Sequence, residues 1–144
     1  MFHNEKEEME MEEMLEGWKT DARDMKSAFV RLKKDLEGKE DIVLSFNARP
    51  GITYSLRATV KEPAVDDKPM FVMVDVIDDD PEGRWLSVCF FGDMITDPDE
   101  VGDFVPGGLL GEDAHCFDYD KKDQDQLAYI EQRIGEAHRY MSGG

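Results

Sequence analysis

The chain has 144 residues, 40% of them apolar and 35% charged, which reads as one globular domain over 1–144 and excludes a disordered chain. Its 34 acidic side chains against 17 basic ones leave a formal net charge of -17, and a surface this negative repels phosphate backbones, so nucleic acid is not expected as a partner. No apolar run approaches the roughly 18 residues of a membrane span, and the acidic N-terminus is unlike a signal peptide, which together predict a cytoplasmic protein off the membrane.

Acidity has two readings. It keeps a small protein soluble, and it offers a surface to a basic protein partner or a mimic of nucleic acid toward a DNA-binding protein. The charge is spread along the chain instead of sitting in a tail, which favours the first.

Asn4 and Glu7 have capping-box spacing ahead of a strongly helical segment. Met11, Leu15, Trp18, Ala22, Met25, Phe29, Leu32 and Leu36 keep one helical face as far as Gly38. Unbroken, that helix would be about 50 Å long, too long for a domain of this size. Either Gly17 splits it, with Thr20 or Asp21 as a new cap, or an acidic leading helix over 1–17 projects and joins a homo-oligomer. Seven glutamates between Glu5 and Glu16 make that part a solvated helix by default.

Asp41 to Val60 reads as a β-hairpin turning at Arg49-Pro50-Gly51, with Ile42 opposite Ala58, Leu44 opposite Leu56 and Phe46 opposite Tyr54. Pro63 and Pro69 bracket a connection. Met70 to Phe91 is a second hairpin around the turn 79–83, registered as Ile77 with Trp85, Val76 with Leu86, Asp75 with Ser87, Val74 with Val88, Met73 with Cys89, Val72 with Phe90 and Phe71 with Phe91. One face of it is wholly apolar and must be core. The other sets Asp75 and Ser87 among Phe71, Met73, Ile77, Trp85, Cys89 and Phe91. Segment 92–114 is rich in Gly, Pro and Asp and reads as a long ordered loop folded over that second face, which predicts low exposure for Trp85. His115 to Tyr119 fits a short strand, and Asp123 with Gln126 caps a last helix with Leu127, Ile130, Ile134, Ala137 and Met141 on its apolar side. The expected architecture is an α+β two-layer sandwich: a four-stranded antiparallel meander with the N-terminal and C-terminal helices on one face.

The chemistry-bearing constellations are sparse, and no catalytic motif supports an enzyme. His115, Cys116 and Asp118 bring a thiol beside a base, making Cys116 a candidate reactive thiol, but neighbours on a strand point to opposite faces and a buried, inert cysteine is the simpler reading. Cys89 and Cys116 show neither disulfide nor zinc spacing and are expected reduced. Asp78, Asp80, Glu82 and Gly83 open like an EF-hand loop, but the twelfth position is Cys89 and strands flank the loop, so a solvated turn is expected and no metal. Acidic residues at 97–100, 112–113 and 118–125 form a patch without zinc-type ligands, and no cofactor is implied. Arg57 and Asp75 share the second sheet face. They read as a cross-strand ion pair or, with Ser45, Ser55 and Ser87 for polar contacts and Phe71, Met73 and Trp85 as wall, as a small-ligand or enzymatic site. A non-enzymatic protein-interaction domain is the leading expectation, the ligand site the alternative.

Overall fold

A computed structural model describes residues 1–64 and 68–143. Three helices and six strands follow in the order α1 (Glu5–Gly17), α2 (Lys26–Glu37), β1 (Ile42–Arg49), β2 (Thr53–Val60), β3 (Val72–Ile77), β4 (Trp85–Phe91), β5 (Asp103–Leu109), β6 (Glu112–Tyr119) and α3 (Gln124–Ser142). All strand pairs are antiparallel, in the spatial order β1-β2-β3-β4-β6-β5. The first four strands are the expected meander. The sheet is nonetheless six strands wide, not four.

The long amphipathic stretch is two helices. Asn4 accepts the Glu7 N–H at 2.8 Å and opens α1, which ends at Gly17. Trp18 then turns into the core with 2% of its surface left exposed. Asp21 accepts the N–H groups of Met25 and Lys26 at 2.8 and 3.0 Å and so supplies the second cap. α1 lies along β1 with Met11 and Met14 buried. The outer edge of β1 is covered locally. Leu44 exchanges hydrogen bonds with Met1 and His3, and the Glu7 carboxylate accepts the Phe46 N–H at 2.6 Å.

Leu44, Leu56, Val74, Val76, Leu86 and Val88 are fully buried on the sheet's inner face. Phe29, Leu32 and Leu36 of α2 and Ile130 and Ile134 of α3 join them in one core. Asp123 caps α3 by accepting the Gln126 N–H at 3.1 Å, and Gly143 ends it at a φ of 81°. Gly135 sits against nothing but the tip of Arg139, so α3 tolerates it without close packing.

The β3–β4 register runs as expected from Met73–Cys89 to Ile77–Trp85. The β1–β2 register differs by two residues, with Leu44 opposite Ala58 and Phe46 opposite Leu56. β1 reaches two residues further into the turn, to Arg49 opposite Thr53, because Pro50-Gly51-Ile52 forms a three-residue loop with Gly51 at a φ of 83° and its N–H donated to the Asp78 carboxylate. A shift of two leaves every side chain on its face, so the core assignment survives.

Segment 92–114 is corrected from a loop to a 3-10 turn at Gly92–Met94, all of β5 and the start of β6. Pro106, Gly107 and Gly108 argue against a strand by composition. They are accommodated because β5 is an edge strand that pairs on one side only, with an irregularity between Val105 and Leu109. Its turn to β6 is Leu110-Gly111, with φ of 52° and 84°. Those are type I′ angles, and leucine does not advertise them. Among the described residues no helix is long and apolar enough to cross a membrane.

Candidate functional site

The helices occupy one face of the sheet. On the other, strand registers align side chains in rows. One row runs Ser45, Arg57, Met73, Cys89, Cys116 and Asp103 across all six strands. The next runs Asn47, Ser55, Asp75, Ser87 and Asp118, and a third Arg49, Thr53, Ile77 and Trp85. Asp75, Ser87, Met73 and Trp85 are therefore neighbours at the centre of this helix-free face.

Asp75 is unusual. One carboxylate oxygen, Oδ1, is buried with no hydrogen-bond partner. Burial pushes its carboxyl pKa upward, against the opposing pull of the Ser55 hydroxyl and of Arg57. The expected Arg57–Asp75 ion pair is not formed; Arg57 Nε instead donates to Ser55 Oγ at 3.1 Å. Met73, Ile77 and Trp85 stay partly exposed around this centre.

Phe71 does not belong to the open part of the face. It is fully buried, with its ring 5.5 Å from that of His138 on α3. The expected lid is present only as the tip of the β5–β6 hairpin, where Leu109 is buried and Glu112 pairs with Lys68. That tip closes a cleft of about 310 Å3 at one corner, lined by Val43, Ser45, Arg57, Thr59, Met70 and Leu110. Asp75 and Trp85 do not line it. The pocket composed from sequence is thus split, with Arg57 at the corner cleft and Asp75, Ser87, Met73 and Trp85 on the open centre.

Cys116 is corrected as a free reactive thiol. It lies directly opposite Cys89 across β4 and β6, Cα atoms 4.2 Å apart, and the two form a disulfide. Antiparallel positions that exchange no hydrogen bonds come within about 4.5 Å, which permits the bond. The pairing depends on β6 lying beside β4, which cysteine spacing cannot show.

His115 points away from Cys116, as strand alternation requires, and its partner is not Asp118. The Asp97 carboxylate accepts or shares hydrogen bonds from His115 Nε2 at 2.7 Å, Val101 N–H at 3.0 Å, Gly102 N–H at 2.9 Å and the Tyr129 hydroxyl. Burial works to raise the Asp97 pKa, but the bonds from Tyr129, His115 and the two backbone N–H groups outweigh it and hold the carboxyl well below the usual range. Burial and the Asp97 charge push the Tyr129 hydroxyl upward. This network ties the loop after β4, β6 and α3 together. His115 also lines a cleft of about 320 Å3 with Lys68, Asp93, Phe104, Glu112 and Asp113. A histidine oriented by a carboxylate has the form of a general base, but the one thiol beside it in sequence faces the other way and is bonded.

The EF-hand-like carboxylates are structural. Asp78 is buried and accepts Arg84 Nε at 2.6 Å together with the Gly51 N–H, locking the two hairpin turns to each other. Among the described residues no group of three or more His, Cys, Asp or Glu side chains is arranged to hold a metal ion. No family model, curated protein or solved structure matches the chain.

Proposed function

We propose that this is a non-enzymatic protein-interaction domain whose contact surface is the helix-free face of the sheet. One observation carries the reading. In a chain with 34 acidic side chains, the three rows of this face hold only Asp75, Asp103 and Asp118, balanced by Arg49 and Arg57, around partly exposed Met73, Ile77 and Trp85. Depletion of charge with enrichment of aromatic, methionine and arginine side chains is the composition of an interface centre. A photo-crosslinking amino acid at Met73, with a control at exposed Lys34 on α2, tests it in the intact chain. A discrete protein adduct from position 73 and none from 34 is expected, and the absence of an adduct at 73 overturns the reading.

A second reading, a small-ligand site, is favoured by the corner cleft, where Arg57 stands in mainly apolar surroundings suited to an amphiphilic carboxylate. Octanoate binding by calorimetry, abolished in Arg57→Leu, would support it, and no heat at millimolar octanoate would remove it. Acidity and an N-terminus unlike a signal peptide support a cytoplasmic location. The Cys89–Cys116 disulfide of the structure would be opened by cytosolic reductants, so in that location thiol trapping on lysis should recover both cysteines reduced, with the disulfide closing only in the oxidised, purified chain. Recovery as disulfide would overturn that location.

A further inference from the structure

The helix-free face is self-complementary, and we propose that its partner is a second copy of the same chain, packed sheet on sheet about a two-fold axis that runs along the strands between β3 and β4. The inference rests on the reading of this face as a protein contact surface and adds the identity of the partner.

The argument begins with strand order. In β1-β2-β3-β4-β6-β5 the line between β3 and β4 is the centre of the sheet. A two-fold axis along it lays β1 and β2 of one copy over β5 and β6 of the other. Arg57 on β2 shares a row with Asp103 on β5, and Asp118 on β6 lies in the adjacent row. The rotation brings Arg57 over the second copy's Cys116, between that copy's Asp103 and Asp118. Both arginines of the face sit on its β1–β2 half. Asp103 and Asp118, exposed and without a salt-bridge partner among the described residues, sit on the other half.

The centre matches in the same way. Rotation places Asp75 over the second copy's Ser87, because these two are partners across β3 and β4. A hydroxyl donor then comes toward the accessible side of the half-buried Asp75 carboxylate, whose Oδ1 is already covered within its own chain. Ile77 falls over the second copy's Trp85, and Met73 over its Cys89. Two sheets packed face to face lie about 10 Å apart with strands within about 30° of each other, so these are neighbourhoods set by row and not single bonds.

Net charge works against self-association, since each copy carries -17. At physiological ionic strength charges beyond about 8 Å are screened, and α1 turns Met11 and Met14 into the core that the other helices share. Local balance on the face then decides.

Sedimentation equilibrium of the intact chain from micromolar to 0.2 mM tests the proposal. The expected mass at high concentration is twice 16.5 kDa. Arg57→Asp should raise the midpoint concentration by about 10-fold or more through like-charge contact with Asp103 and Asp118, and adding Asp103→Arg and Asp118→Arg should restore the dimer. A monomer throughout, or a dimer indifferent to Arg57→Asp, overturns it. The crosslinker at Met73 separates the two levels of the argument. An adduct of twice the chain mass supports the second copy. An adduct with a different protein alone, basic or otherwise, overturns the second copy while the interaction reading stands, and no adduct overturns both.

Discussion

The two faces of the sheet are built from the same strands by alternate residues, yet they have opposite fates. Val72, Val74 and Val76 on β3 have no exposed surface, whereas Met73, Asp75 and Ile77 between them remain partly exposed. The inner face is closed by the helices, and over β3 and β4 its side chains from Val72 to Val76 and from Leu86 to Phe90 are all apolar. The outer face mixes arginine, serine, threonine and aspartate with three large apolar groups. Periodicity identifies a face that must be buried, because nothing polar on it could be satisfied there. It cannot identify what covers a mixed face, because a mixed face is tolerable either wet or covered.

The largest expected difference between the faces is in packing. Phe90→Ala leaves a cavity beneath Phe117, whose ring it meets edge-on at 5.9 Å, and should cost about 3–5 kcal/mol by urea unfolding. Met73→Ala on the outer face of the monomer should cost less than about 1 kcal/mol. Equal losses would mean that the outer face is covered within the chain. Next is the disulfide that staples the outer face. It closes a separation of 27 residues, for which chain entropy gives about 3.5 kcal/mol. A Cys89→Ser, Cys116→Ser variant should lose roughly 2–4 kcal/mol, and an unchanged unfolding midpoint would show that β4 and β6 hold together without it.

How much of this was legible in the sequence follows the range of each interaction. Hairpin β3–β4 could be registered to the residue because its alternation is unambiguous on both strands, although seven residues join them. Hairpin β1–β2 was placed on the right faces but two residues out of register, since the three-residue loop is stabilised by Asp78 from elsewhere in the chain. β5 was hidden by Pro106, Gly107 and Gly108, residues that exclude a central strand but not an edge. The strand expected at His115 to Tyr119 is the end of β6, but with β5 hidden its place beside β4 could not be read, nor anything that depends on that pairing. The Cys89–Cys116 pair and the bond from Asp97 to His115 join residues 27 and 18 apart with no local signature. Arg57, Asp75, Ser87, Met73 and Trp85 could be assigned to one face from alternation alone. That Arg57 would turn to Ser55 and Phe71 to His138 could not.

Two aspartates then give opposite pH signatures. Asp97 is held below its ordinary pKa by donors that exist only in the folded chain. Its contribution is complete above the unfolded value near 3.9 and is lost as pH falls through the folded value. Asp97→Asn should cost roughly 2–3 kcal/mol at pH 7, with the loss shrinking toward acid. A constant loss from neutral to acid pH would assign the effect to geometry instead of charge.

Asp75 has the reverse sign and the smallest effect. Its folded pKa is raised, chiefly by burial, so the folded chain binds the proton more tightly than the unfolded one. Stability therefore falls as pH rises through the interval from about 3.9 to the folded value, and at pH 7 the ionised carboxylate is a net burden on the outer face. Asp75→Asn removes that burden while keeping the size of the side chain. Measured at concentrations where the chain is monomeric, it should gain about 1 kcal/mol at pH 7 and nothing at pH 3. Where two copies are in contact, the gain should shrink, because the second copy's Ser87 then offers a donor to the part of the carboxylate that the single chain leaves accessible. A gain that is the same at micromolar and at 0.2 mM chain would separate the Asp75 carboxylate from any contact with a second copy.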